Sequence, residues 1–145
     1  MDKPRILFLC TGNSARSQMA EAIMKKYAGD QFEIHSAGLE PTEINPYTVK
    51  VLHETGFDTT GQYAKPLSKY LGTTHFSYLI TVCSKADERC PIFPGMGKRI
   101  HWPFEDPADI KVNDLEKLEK FREIRDQIET RILTWLEELG IPHTI

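Results

Sequence analysis

Two short, uninterrupted apolar runs, each ending at a cysteine, constrain the fold of this chain more than any other feature. They are RILFLC at 5–10 and FSYLITVC at 76–83. A run of this length without polar alternation is typical of a parallel strand that is buried on both faces. Such strands need helices on both sides of their sheet, so strands and helices are expected to alternate along the chain.

The other segments supply these helices and further strands. Apolar residues at helical spacing predict a first helix that stops near Gly29, and Asn45-Pro46 opens a second that ends near Gly56. FEIHSAG at 32–38 and KRIHWPF at 98–104 read as strands. A long amphipathic helix follows at about 113–139, and the expected class is α/β with a mainly parallel sheet. Its expected buried stripe is Leu115, Leu118, Phe121, Ile124, Ile128, Ile132, Trp135 and Leu139.

Length, charge and hydropathy exclude several classes of protein. At 145 residues, a single domain spanning 1–145 is expected. A net charge of −3 without a basic block argues against nucleic-acid binding. No apolar run reaches the ~18 residues of a membrane span, and no signal peptide is evident. We therefore expect a cytoplasmic monomer whose three cysteines are not a disulfide framework.

The segment after the first strand has the spacing C-x5-R, from Cys10 to Arg16. Backbone N–H groups of such a turn, with those of the following helix, converge on one point and bind an anion. Gly12 and Asn13 suit the positive φ values of a tight loop, and the planar Arg16 guanidinium matches two oxygens of a tetrahedral oxyanion. The alternative is a buried Cys10 and a surface Arg16, but the predicted strand and helix on either side favour an anion site.

The same positive field is expected to favour the thiolate form of Cys10, with Ser17 or Ser14 donating to the sulfur. A thiolate beside a bound oxyanion is a nucleophile next to its target. We therefore interpret the loop as catalytic.

Cys83 and Cys90 are separated by the six residues SKADER. This is not the spacing of a zinc site, so no metal is expected; two independent buried cysteines are an alternative. A helix over 84–89 would hold the pair about 10 Å apart, beyond the ~7 Å between Cα atoms that a disulfide tolerates. The intervening charges suit a marginal, solvent-facing helix that can unwind to let the cysteines join. They are Lys85, Asp87, Glu88 and Arg89.

Four motifs carry a resemblance that covers nearly the whole chain. They are LCTGNSARSQMAEA at 9–22, HSAG at 35–38, VCSKADERCP at 82–91 and WPFEDP at 102–107. Together they resemble the low molecular weight protein tyrosine phosphatase superfamily and, within it, the thioredoxin-coupled arsenate reductases. The resemblance implies a three-layer α/β fold, a four-stranded parallel sheet flanked by helices.

The resemblance also implies a reaction without a cofactor. Cys10 attacks arsenate, Cys83 attacks the Cys10 sulfur and releases arsenite, and Cys90 then attacks Cys83. The expected redox-active disulfides are Cys10–Cys83 and Cys83–Cys90, and thioredoxin, the expected partner, reduces the second. Asp106, in an Asp-Pro pair that by itself signals only a turn, is implied as the general acid. The implied oxyanion-binding residues are Thr11, Gly12, Asn13, Ser14, Ala15, Arg16 and Ser17.

Two positions depart from patterns among these relatives. Ala15 stands where some have another cysteine inside the loop. In potassium-binding relatives a bound cation supports the loop asparagine, which is Asn13 here. Glu21 and Ser36 match two ligands of that cation, but Lys65 stands where the third ligand, an aspartate, would be. We predict that the Lys65 ammonium replaces the cation and pairs with Glu21, the alternative being a surface lysine.

Two other functions compete with arsenate reduction. A tyrosine phosphatase of the same fold needs the loop and Asp106 but neither Cys83 nor Cys90. Such phosphatases follow Asp-Pro with aromatic residues that grip the substrate ring, whereas Ala108 and Asp109 follow here, which favours a small inorganic oxyanion. A non-catalytic oxyanion binder or redox sensor would need no general acid.

Overall fold

A computed structural model describes residues 3–90, 96–109 and 111–141. Within these residues four strands and four α-helices alternate, as the apolar patterns predict. They are β1 (Arg5–Cys10), α1 (Arg16–Ala28), β2 (Glu33–Gly38), α2 (Pro46–Glu54), β3 (Phe76–Thr81), α3 (Ser84–Arg89), β4 (Met96–His101) and α4 (Asp114–Glu138).

The four strands form one parallel sheet in the order β2-β1-β3-β4. This confirms the α/β class and the four-stranded parallel sheet. Residues 6–9 of β1 are fully buried because β1 has a neighbouring strand on each side and helices above and below. The register places Cys10 beside Gly38 and Leu9 beside Thr81, so β1 and β3 end side by side at the edge where parallel sheets bind ligands.

The two faces of the sheet are covered by different helices, which gives three layers. Tyr78 and Thr81 of β3 point to opposite faces because they are three residues apart in a strand. The Tyr78 ring packs against Trp135 of α4 at 5.0 Å between centroids, whereas Thr81 Oγ1 donates to Asp87 of α3 at 3.0 Å. α1 and α2 pack against α4 on its face of the sheet.

The ends of the first two helices lie close to the predicted signals. Asn45 is the N-cap of α2, where its side chain accepts from the Tyr47 N–H at 2.9 Å, and Pro46 is the first helical residue. Gly56, two residues after α2 ends, takes the left-handed conformation with φ +80°. α1 ends at Ala28, directly before Gly29.

α4 buries its predicted stripe except at the two ends. Leu115 is 68% exposed and Leu139 is 40% exposed, so the prediction was wrong at these positions. A helix of 25 residues is about 37 Å long, whereas six-residue strands span about 20 Å, and the terminal turns outreach the sheet. No helix in the described residues is long and apolar enough to cross a membrane. The buried members of the stripe are Leu118, Phe121, Ile124, Ile128, Ile132 and Trp135.

Candidate active site

The loop between β1 and α1 is held from outside by the segment that follows β2. Backbone N–H groups of this segment donate to four of the loop carbonyls at 2.8–3.2 Å, so these oxygens are occupied by hydrogen bonds on the outside of the loop. α1 begins at Arg16 without a side-chain cap on Ala15, which leaves its first amides at the same loop. The four bonds run from Leu39 to Cys10, Glu40 to Thr11, Thr42 to Gly12 and Asn45 to Ser14.

Asn13 takes the strained backbone position of this loop. Its φ is +49°, and it is the one non-glycine residue in the described chain with positive φ. Gly12 does not adopt positive φ, so that part of the prediction was wrong. The Asn13 side chain is fully buried and stabilises the strained backbone, because Oδ1 accepts from the Lys65 backbone N–H at 2.9 Å and from Gln18 Nε2 at 3.0 Å.

Cys10, at the start of the loop, is 2% exposed, and two groups of the loop contact its sulfur. Ser17 Oγ is 2.9 Å from it, and the Asn13 backbone N–H donates to it at 3.3 Å. Asn13 Nδ2 donates to Ser17 Oγ at 2.7 Å, which leaves the Ser17 hydrogen to point at the sulfur. The hydrogen bonds to the sulfur thus come from Ser17 and Asn13 and not from Ser14, the other proposed donor.

A cleft of about 330 Å³ opens over this loop. Arg16 crosses it, with one guanidinium nitrogen 3.0 Å from the Phe104 carbonyl and another 3.7 Å from Asp106 Oδ2. Asp106 Oδ1 also accepts from the Ala108 N–H at 3.0 Å, an arrangement that fixes the carboxylate at the rim. The lining residues are Thr11, Arg16, Cys83, Ser84, Lys85, Phe104, Asp106 and Asp109.

Cys83 reaches the same cleft from the end of β3. Its sulfur is 3.4 Å from Thr11 Oγ1 of the loop and accepts from the Ala86 N–H at 3.4 Å, as the N-cap of α3. A second thiol therefore lies beside the loop that contains Cys10. Cys10, Cys83 and Cys90 form no disulfide in this structure.

Cys90 lies at the opposite end of α3 and is 7% exposed. Burial raises the pKa of its thiol; the Arg99 guanidinium lowers that pKa and the Asp87 carboxylate raises it, by smaller amounts. The helix predicted over 84–89 is present and separates Cys83 from Cys90.

Glu21, Ser36 and Lys65 meet behind the loop. Lys65 is 5% exposed and therefore not a surface lysine; its Nζ donates to the Tyr63 carbonyl at 2.9 Å and lies 3.6 Å from Glu21 Oε1 and 3.5 Å from Ser36 Oγ. Burial raises the pKa of Glu21, but the Lys65 charge and hydrogen bonds from neighbouring side chains outweigh it and hold the pKa below its usual value. Burial lowers the pKa of Lys65.

Sequence reasoning missed residues that support the loop. Gln18 is fully buried and donates to both the backbone carbonyl and the side chain of Asn13 at 3.0 Å. Gly38 lies against the loop so closely that a Cβ there would be 2.7 Å from the Thr11 carbonyl oxygen. The HSAG motif contains Gly38, but only the pairing of β2 with β1 shows what it approaches. In the described ranges, no cluster of three or more His, Cys, Asp or Glu side chains could hold a metal ion.

These features coincide with a known family. The profile of low molecular weight phosphotyrosine protein phosphatase matches residues 5–142, nearly the whole chain. The chain belongs to this family. The named relatives of this chain indicate which members of the family it is most similar to.

Several relatives that match this phosphatase-family chain over most of its length are named arsenate reductases. The arsenate reductase of Halalkalibacterium halodurans is 43% identical over 137 residues, which cover 94% of this chain and 98% of the relative. A solved arsenate reductase in the phosphate binding state superposes with a TM-score of 0.78 at 27% identity, covering 93% of this chain and 98% of the other. The thioredoxin-dependent arsenate reductase of Corynebacterium glutamicum gives 0.72 at 30% identity, covering 96% of this chain and 63% of that one.

Proposed function

We propose that this enzyme reduces arsenate to arsenite through a relay of Cys10, Cys83 and Cys90, and that thioredoxin regenerates it. The observation that carries the proposal is the second thiol at the anion loop: Cys83 Sγ lies 3.4 Å from Thr11 Oγ1, one residue from Cys10. A phosphatase needs one nucleophile in this cleft, whereas reduction needs an electron-donating thiol beside it. The names of the relatives support the same choice of substrate.

In the first step the Cys10 thiolate forms a bond to arsenic(V). Hydrogen bonds to the sulfur from Ser17 and the Asn13 amide favour the thiolate, and Arg16 with the loop amides holds the oxyanion. As the S–As bond forms, an As–O bond breaks: a hydroxyl of the protonated arsenate takes a second proton from the protonated form of Asp106 at the rim of the cleft and departs as water. No oxidation state changes until this bond has formed.

Reduction occurs when Cys83 attacks the Cys10 sulfur. The S–As bond breaks, its electron pair goes to arsenic, and arsenite leaves as arsenic(III) while a Cys10–Cys83 disulfide forms. Cys90 then attacks Cys83 and releases Cys10 as a thiol. Two electrons have passed from two thiols to arsenic, and the dithiol of thioredoxin returns them by reducing Cys83–Cys90.

A coupled assay separates this relay from the competing functions. NADPH loss is followed with arsenate, thioredoxin and its reductase, and glutaredoxin replaces thioredoxin in a parallel arm. We expect Cys10→Ser, Cys83→Ser and Cys90→Ser each to abolish turnover, and Ser84→Ala, beside Cys83 in the cleft, to retain most of it. Phosphoester hydrolysis that only Cys10→Ser abolishes, without arsenate-dependent NADPH loss, would instead establish a phosphatase. The absence of both activities would indicate a non-catalytic oxyanion binder or redox sensor.

The relay also sets where and in what form the enzyme works. It needs three reduced thiols and a thioredoxin system, so we propose that it acts in the cytoplasm. All the groups in the proposed steps come from one chain, so we propose that it acts as a monomer. Sedimentation of the reduced protein tests the second point, and a dimer would contradict it.

Within this function we propose that Lys65 holds the loop in place of a bound cation. Its backbone N–H binds Asn13, and its ammonium lies beside Glu21 and Ser36. These residues do not fit an additional potassium ion, because two like charges about 4 Å apart repel by about 4 kcal/mol in a partly buried site. The pair acts through position, since buried ion pairs add little net stability.

Salt dependence tests this role of Lys65. Wild-type turnover should be equal in potassium and sodium chloride at one ionic strength. Lys65→Met should lower kcat/KM for arsenate about tenfold, while the matched change Lys69→Met, at an exposed lysine on the same segment, should leave it unchanged. A large potassium-specific stimulation of the wild type would contradict the proposal.

A further inference from the structure

Asp87 lies on α3 between the two exchanging cysteines, and side chains from β3 and β4 hold it in place. Thr81 Oγ1 donates to its Oδ1 at 3.0 Å, and Arg99 donates to the same oxygen at 3.2 Å and to the Asp87 backbone carbonyl. With its hydrogen on Asp87, the Thr81 oxygen accepts from His101 Nδ1 at 2.9 Å. We name these four residues, Asp87, Thr81, Arg99 and His101, the Asp87 clasp.

The clasp corrects the sequence expectation for one residue of α3. Lys85, Glu88 and Arg89 are exposed as expected, whereas the Asp87 side chain is 34% exposed and is bound by side chains of β3 and β4. Burial raises the pKa of Asp87, yet hydrogen bonds from Thr81 and Arg99 keep it below its usual value, so the carboxylate is charged. Arg99 also donates to the Cys90 carbonyl at 3.4 Å and so fastens the last turn of α3.

The folded helix and the Cys83–Cys90 disulfide exclude each other. The two residues flank six helical residues, which places them about 10 Å apart along the helix axis. A disulfide requires Cα atoms within ~7 Å. Oxidation therefore requires α3 to unwind, and unwinding must break the bonds that Arg99 and Thr81 make to Asp87.

We propose that the Asp87 clasp gates the Cys83–Cys90 exchange, with Arg99 as its principal positioning residue. The clasp stabilises the reduced, helical form, keeps Cys90 away from Cys83 until the Cys10–Cys83 disulfide has formed, and favours refolding of α3 when the pair is reduced again. This gating role rests on the proposed relay. Its physical basis, the coupling of α3 to the dithiol state, is measurable without arsenate.

The test uses full-length Cys10→Ser protein, in which Cys83 and Cys90 are the two cysteines left. In buffers of oxidised and reduced glutathione, the dithiol gives up two electrons and two protons, and one oxidised glutathione becomes two reduced glutathiones. The fraction oxidised is read by acid quench, alkylation and mass spectrometry. Because this measurement contains no arsenate, a negative result for the clasp does not depend on whether the relay reduces arsenate.

Arg99→Met should shift the equilibrium towards the disulfide about tenfold or more, the size expected for lost hydrogen bonds to a charged group. Asp87→Ala should act in the same direction, and Thr81→Val, which removes only a hydroxyl, should give a smaller shift. Arg99→Lys should restore part of the wild-type value. The matched controls Lys98→Met on the same strand and Glu88→Ala on the same helix should stay within about twofold.

Hydrogen exchange distinguishes a local clasp from general instability. In reduced Arg99→Met protein, amides of α3 should lose protection while those of β1 and α1 keep theirs. Equal shifts for Arg99→Met and Lys98→Met would overturn the proposal. Loss of protection throughout the chain would also overturn it, because the effect would then not belong to α3.

Discussion

At the scale of single residues, the site is a set of donors directed at one sulfur and one anion. Asn13 adopts a positive φ, and hydrogen bonds from Lys65 and Gln18 to its side chain stabilise this strained backbone from behind the loop. Arg16 and Asp106 face each other across the cleft at 3.7 Å, an ion pair that an entering oxyanion would compete for. In the proposed mechanism Arg16 binds the charge of the oxyanion and Asp106 delivers a proton.

Asp106→Asn should slow the first chemical step by about 10²–10⁴-fold, because the amide cannot protonate the leaving oxygen. Arsenite release in a single turnover, measured by rapid quench, checks this. Glu105→Gln is the matched control, since Glu105 is exposed and pairs with Lys120 at 2.5 Å. Equal rates for the two variants would remove Asp106 from the mechanism.

The raised pKa of Cys90 has a measurable consequence. Because burial disfavours the thiolate, alkylation of Cys90 in folded Cys10→Ser/Cys83→Ser protein should reach half its maximal rate at a higher pH than in urea. Iodoacetamide labelling across pH, read by mass spectrometry, gives both midpoints. A folded midpoint at or below the unfolded one would show that α3 does not shield this thiol.

At the scale of elements, sequence patterns predicted the strands, the helices and the anion loop because these depend on local periodicity and spacing. They failed where the cause is tertiary. The positive φ falls on Asn13 and not on Gly12 because two residues bind the Asn13 side chain. Lys65 is distant in sequence, and Gln18 lies on the next helix. Asp87 was misplaced for the same reason, since its partners lie on β3 and β4.

Gly38 joins β2 to the anion loop, and its substitution tests that contact. In Gly38→Ala a Cβ would meet the backbone of Thr11 and Asn13 at 2.7 and 2.9 Å, so the loop must shift. We expect a lower melting temperature and weaker binding of inorganic phosphate, measured by calorimetry. Gly97→Ala, whose Cβ would meet the Ser77 carbonyl at 2.4 Å on the far strand pair, should lower the melting temperature but keep phosphate affinity. Equal phosphate affinity in Gly38→Ala and Gly97→Ala would show that the contact of Gly38 with the anion loop does not support anion binding.

At the scale of the whole molecule, strand order brings the chemistry together. β1 and β3 are adjacent although about 70 residues separate them, so Cys10 and Cys83 end at one edge of the sheet. α3 continues directly from that edge and carries Cys90 at its far end. The sheet thus positions the first two thiols, and in the proposed relay the unwinding of a short helix controls the third.

The most direct test of the account is to trap the first disulfide. Cys90→Ser protein mixed with one equivalent of arsenate, quenched in acid, alkylated and digested, should show Cys10 bridged to Cys83 in proportion to the arsenite released. Arsenite release without that bridge would contradict the relay.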